Sequence, residues 1–136
     1  KQRFYNGMRV HRVVPGFVAQ WGIHADGEPV MSRWRPAKFP DDPVTESNAP
    51  GRLSFAMAGP GSRTTQVFVN LGDNARLDAM GFAPFAEVVE GMDVVRAVSS
   101  AHGQKPDQSK IQREGNAYLD REFPGLDAIT KAEIVD

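Results

Sequence analysis

The chain has 136 residues, 40% of them hydrophobic and 24% charged, the composition of an ordinary globular protein with enough length to bury one real core. A net charge of -1 argues against a surface built for nucleic-acid phosphates or anionic lipid, and no apolar run reaches the roughly 18 residues of a membrane span. Cysteine is absent, which removes disulfides, thiolate metal sites and a cysteine nucleophile, and leaves cytoplasm and periplasm equally open.

The chain opens on Lys1-Gln2-Arg3 without Met and reads as a fragment or processed form of one domain over 1–136. From Met8 to Val14 the pattern alternates and predicts a strand. Pro15-Gly16 breaks it, because proline presets φ and glycine tolerates positive φ, and Phe17 to Ile23 reads as a second strand. With Pro15-Gly16-Phe17 as the loop, Val14 pairs with Val18 and Arg12 faces Gln20, two polar side chains adjacent on an otherwise apolar ribbon.

From Asp26 to Pro50 the periodicity disappears among Pro29, Pro36, Pro40, Pro43 and Pro50, which predicts a long surface loop with ordered turns. Short strands follow at Leu53 to Ala58, Gln66 to Asn70 and Phe85 to Val89, with an irregular stretch from Leu71 to Pro84. Met92, Val95 and Val98 recur at helical spacing up to a stop near Gly103. Glu114 to Glu122 suggests a second short helix, and Ala132 to Val135 a closing strand. Many short strands with one or two helices favour a mainly β barrel or sandwich.

Three segments in this order resemble the cyclophilin family. The first is Phe4-Tyr5-Asn6-Gly7 followed by Val10-His11-Arg12-Val13-Val14-Pro15-Gly16-Phe17-Val18-Ala19-Gln20. The second runs from Leu53-Ser54-Phe55-Ala56-Met57-Ala58-Gly59-Pro60 to Thr65-Gln66-Val67-Phe68-Val69, and the third joins Leu77-Asp78 to Phe85-Ala86-Glu87-Val88-Val89-Glu90-Gly91-Met92. Ile111 to Val135 resembles an extension seen in some bacterial members. The resemblance implies a closed antiparallel β-barrel capped by helices. The two strands and first helix that the family sets before the segment matching Phe4 are missing here.

The resemblance also implies peptidyl-prolyl cis-trans isomerase activity on proline-containing peptides and on unfolded or folding proteins. It implies a monomer, and no cofactor, metal, nucleic acid or membrane. Arg12 would be the central catalytic residue. Rotation about an Xaa-Pro bond makes and breaks no covalent bond, so the chemistry asks for neither nucleophile nor metal. It asks for a donor that meets the proline nitrogen when its lone pair localises in the twisted amide. Gln20 would hold the guanidinium. Phe17, Val18, Phe68 and Leu77 would surround the proline ring, and Gln66 with the Ala56 backbone would bind the substrate main chain.

Met57 stands where most of the family has Asn, which removes one side-chain contact to substrate. Arg76 stands where many eukaryotic members have Trp, which implies weak binding of cyclosporin-like inhibitors. In place of the family's pocket histidine lies Gly81-Phe82, so Phe82 would supply that wall. Two alternatives come from other classes. A cyclophilin fold that binds proline segments without useful isomerase rate is favoured by Met57 and opposed by Arg12, Gln20 and Phe68. A hydrolase from Ser54, His11 and Asp26 lacks a nucleophile elbow. His11, His24 and His102 are too widely spaced for a metal site, and Asp41-Asp42 reads as a turn.

Overall fold

The computed structural model describes residues 3–135; the opening Lys1-Gln2 and the final Asp136 lie outside them. Five strands form one antiparallel sheet: β1 (Arg12–Val14), β2 (Val18–Trp21), β3 (Arg52–Phe55), β4 (Val67–Asn70) and β5 (Ala86–Glu87). Their order across the sheet is β1-β2-β4-β3-β5. The first hairpin has the expected register, with Arg12 opposite Gln20 and Val14 opposite Val18. Every strand is shorter than the range expected from the sequence.

Successive strand side chains point to opposite faces, so the pairing sorts the residues into rows. Val13, Ala19, Val69 and Leu53 align on one face; Arg12, Gln20, Phe68 and Ser54 align on the other. The first face joins Val10 and Leu71 in an apolar cluster packed by Trp21, Val88, Met92, Val95 and Val98. On the second face Val18, Phe68 and Leu77 cluster with Phe17, Ala56 and Phe82. A third cluster, Ile23, Met31, Ile111, Tyr118 and Leu119, anchors the helices to the end of β2.

A closed barrel is not what the described residues form. β1 and β5 are the edges of an open sheet and do not pair with each other. The outer side of the β1 segment is met instead by other chain. The Val13 N–H donates to the Gly103 carbonyl at 3.2 Å, and Arg9 bridges antiparallel to Ala128. Between the apolar face and α2 (Met92–Arg96) opens a cleft of about 410 Å³ lined by Val10, Trp21, Leu53, Val88 and Val98 among others.

Three further expectations need correction. The loop from Asp26 to Pro50 contains α1 (Val30–Trp34), whose Met31 is buried against Ile23. Ahead of α4 (Asn116–Glu122) lies α3 (Gln108–Glu114), a helix with a single buried apolar residue, Ile111, and hence no periodic signature. Ala132 to Val135 forms no strand; the pairing falls earlier, where the Ile129 N–H donates to the Met8 carbonyl and the Val10 N–H to the Asp127 carbonyl.

A buried polar network fixes the loop to the sheet beside the second face. Asn48 and Asn70 are fully buried; the Ser54 hydroxyl and the Asn70 amide both donate to Asn48 Oδ1. The Asn48 amide in turn donates to Asp78 Oδ1 at 2.7 Å, and the Ser47 hydroxyl to Asp78 Oδ2 at 2.6 Å. These donors, Ser47 foremost, hold the Asp78 carboxyl below its ordinary pKa. Asp78 follows the 3₁₀ turn Ala75–Leu77, so the network also sets the position of Leu77. Among the described residues no helix is long and apolar enough to cross a membrane.

Candidate active site

The row Arg12–Gln20–Phe68 runs along the floor of a cleft of about 320 Å³ on the second face of the sheet. The ten residues that the family resemblance implies for the site all line it: Arg12, Phe17, Val18, Gln20, Ala56, Met57, Gln66, Phe68, Leu77 and Phe82. Their convergence follows from pairing. Arg12, Gln20 and Phe68 occupy matching positions on adjacent strands, and Val18 stands two residues before Gln20 on the same face. Gln66 precedes β4, and its carbonyl accepts the Ala56 N–H at 2.9 Å, which brings Met57 to the rim.

The apolar wall is well defined. Phe68 is 4% exposed and meets Phe82 edge-on with ring centroids 5.7 Å apart. Leu77 and Val18 close around them, and Phe17 completes the cluster. Two guanidinium groups face the Phe17 ring, Arg76 at 4.9 Å and Arg12 at 5.9 Å from the centroid. Arg76 therefore sits beside the cleft rather than in it.

The polar side is a chain of hydrogen bonds. Arg12 Nη1 donates to Gln20 Oε1 at 3.1 Å, and Gln20 Nε2 donates to Gln66 Oε1 at 2.8 Å. Gln66 Nε2 donates to Gln108 Oε1 at 3.2 Å. At the other end, Arg12 Nε and Nη2 both donate to Gln104 Oε1, at 3.0 and 2.8 Å. Arg12 is the cleft's charged lining residue, and partial burial lowers its pKa while leaving it protonated at neutral pH.

Sequence reasoning missed Gln104, Gln108, Ser62 and Thr64; the last three line the cleft and Gln104 touches Arg12. Nothing in the local pattern marks them, since Gln104 lies 92 residues from its partner and Gln108 lies 42 from its own.

The other sequence candidates fall outside the cleft. Ser54 is fully buried and donates to Asn48, so it offers no nucleophile. His11 is 2% exposed, and its Nε2 has no hydrogen-bond partner among the described residues. Burial, helped by the Arg12 charge, lowers its pKa to about 4 and keeps it neutral. Asp41 and Asp42 both lie within ion-pair distance of the buried Arg63 guanidinium, which also stands 4.5 Å from the Phe39 ring centroid. Among the described residues no group of His, Asp and Glu is placed to hold a metal ion.

Comparison with known proteins places the chain in a family. Residues 1–115 match the family model described as cyclophilin type peptidyl-prolyl cis-trans isomerase/CLD. The chain is 36% identical over 107 residues to a peptidyl-prolyl cis-trans isomerase of Acinetobacter baylyi, covering 74% of this chain and 55% of the relative. It is 38% identical over 101 residues to peptidyl-prolyl cis-trans isomerase A of Dickeya dadantii, covering 71% of this chain and 53% of that protein. The chain thus spans about half the length of these curated relatives. With more than half of its residues inside the family model, the chain belongs to the cyclophilin-type peptidyl-prolyl cis-trans isomerase family.

Proposed function

We propose that this chain accelerates cis-trans rotation of Xaa-Pro peptide bonds in peptides and in folding proteins, with Arg12 as the catalytic residue. The observation that carries the reading is the opposition of one guanidinium to an aromatic recess within a single cleft. A proline ring seated against Phe68, Phe82 and Leu77 puts its amide nitrogen toward the polar side, where Arg12 stands. The substrate main chain then runs past Gln66 and the Ala56 backbone.

The barrier to amide rotation, about 18–20 kcal/mol, reflects resonance that holds the C–N bond planar. As the bond twists, the nitrogen becomes pyramidal and gains a lone pair. A donor aimed at that nitrogen binds the twisted amide better than either planar isomer and so lowers the barrier. A hydrogen bond from a charged donor contributes roughly 1.5–3 kcal/mol, or one to two decades of rate. Positioning in the cleft and removal of the amide from water supply the remainder.

We also read residues 1–136 as one cyclophilin-like unit and the open sheet as part of a barrel. The continuous apolar face of Val10, Val13, Ala19, Val69 and Leu71 supports an interior role for that side. Met57 favours a second reading, in which the cleft binds proline segments without useful rate. Exchange spectroscopy on a short Xaa-Pro peptide, with and without the chain, separates the two. Acceleration supports the isomerase, and binding without acceleration leaves the binding module.

A further inference from the structure

Arg12 has five N–H donors and no acceptor, so it fixes the polarity of every amide bonded to it. Gln20 must present oxygen to Nη1, and its nitrogen therefore points on to Gln66 Oε1. Gln66 in turn has only nitrogen left, and this meets Gln108 Oε1. On the opposite side Gln104 Oε1 takes both Nε–H and one Nη2–H, closing the side edge of the guanidinium. One Nη1–H and one Nη2–H remain for a substrate.

Gln104 and Gln108 belong to one short segment. It is pinned next to Arg12 by the Val13 N–H to Gly103 carbonyl bond. Farther along, Pro106 is buried, the Asp107 N–H donates to the Tyr118 hydroxyl, and the Asp107 side chain caps α3 at the Lys110 N–H. Hydrogen bonds and covalent chain together make a ring: Gln104, Arg12, Gln20, Gln66, Gln108 and back. We propose that the segment Gln104–Gln108 is a clasp, with Gln104 the second positioning residue for Arg12 beside Gln20. This rests on the isomerase reading for its kinetic consequence, although the clasp itself is a property of the free protein.

The argument is one of freedom removed. A guanidinium held only through Nη1 pivots about that bond and about its own long side chain. Fixing Nε and Nη2 as well removes the pivot before substrate arrives, which lowers the barrier without adding contact to the ground state. Truncating Gln104 therefore acts on kcat and leaves KM nearly unchanged. Its side chain is exposed, so the change leaves the core untouched.

The test compares wild type, Gln104→Ala and Gln104→Glu, the last retaining an acceptor oxygen. The first readout is hydrogen exchange of the Arg12 Nε–H signal, assigned by its loss in Arg12→Lys; the second is peptide exchange kinetics. Expected are faster Nε–H exchange and a roughly three- to tenfold fall in kcat for Gln104→Ala, with KM within about twofold, and recovery of both in Gln104→Glu. Unchanged Nε–H exchange in Gln104→Ala overturns the clasp, as does a changed exchange with unchanged kcat. If wild type gives no acceleration while Nε–H exchange still responds, the isomerase reading fails and the clasp stands.

Discussion

Arg12 and Gln20 face each other as a cross-strand pair, and Nη1 of the first donates to Oε1 of the second at 3.1 Å. The pairing is set by the hairpin, not by the side chains, so any change that preserves the backbone isolates the hydrogen bond. Gln20 is 5% exposed, and leucine fills nearly the same volume. Gln20→Leu removes both the acceptor for Arg12 and the donor for Gln66. Its kcat/KM on an Xaa-Pro peptide should fall roughly tenfold, the worth of one such bond in the transition state, as measured by exchange spectroscopy.

Met57 lines the cleft directly after Ala56 and carries no hydrogen-bonding amide. Met57→Asn places a hydrogen-bonding amide there. One added neutral hydrogen bond, about 0.5–1.5 kcal/mol, should tighten peptide binding by roughly two- to tenfold. Peptide titration followed by amide chemical shifts reads this directly; unchanged affinity would remove Met57 from the binding path.

His11 links the site to stability at acid pH. Its pKa falls from an ordinary value near 6.5 to about 4 on folding, through burial and then the Arg12 charge. The unfolded chain therefore binds the proton more readily, and the contribution is fully present above about pH 6.5. It is lost as pH falls through 6.5 to about 4, and the two and a half units amount to about 3 kcal/mol. Urea unfolding at pH 7.5 and pH 4.5 should show the larger acid loss in wild type than in His11→Leu, since other titrating groups cancel in the comparison.

Gly22 lies where β2 passes close to β4. A Cβ there would stand 2.3 Å from Gln66 Cα, and its φ of +129° suits only glycine. Gly22→Ala should destabilise the fold by several kcal/mol and displace Gln66. Thermal unfolding shows the first effect, and loss of peptide affinity in the surviving folded fraction shows the second.

The hairpin was legible because Pro15-Gly16 forces a turn and the alternation on either side admits one register. The Arg12–Gln20 pair followed from that register, whereas Phe68 and the rest of the recess entered the expected site through the family resemblance; the β2–β4 pairing that sets Phe68 beside Gln20 left no signal in the sequence. What stayed hidden has weak local signatures. Helix α1 begins at Val30 beside Pro29 and buries only Met31, and α3 buries only Ile111. The pair Asp41-Asp42 resembled a turn, but its neighbour Arg63 is a buried cation 21 residues from Asp42. The pairing of Asp127 to Ile129 with Met8 to Val10 is made by backbone groups, which leave no side-chain pattern. Openness of the sheet at β1 and β5 depends on which strands meet, and strand length alone does not determine that.

The central claim is that the Arg12 guanidinium meets the proline nitrogen as the amide twists. Arg12→Ala compared with wild type, on one Xaa-Pro peptide with both exchange rate and affinity measured, tests it most directly. The account expects kcat to fall by one to two decades while affinity changes little. Equal exchange rates in the two proteins, at equal peptide occupancy, would contradict it.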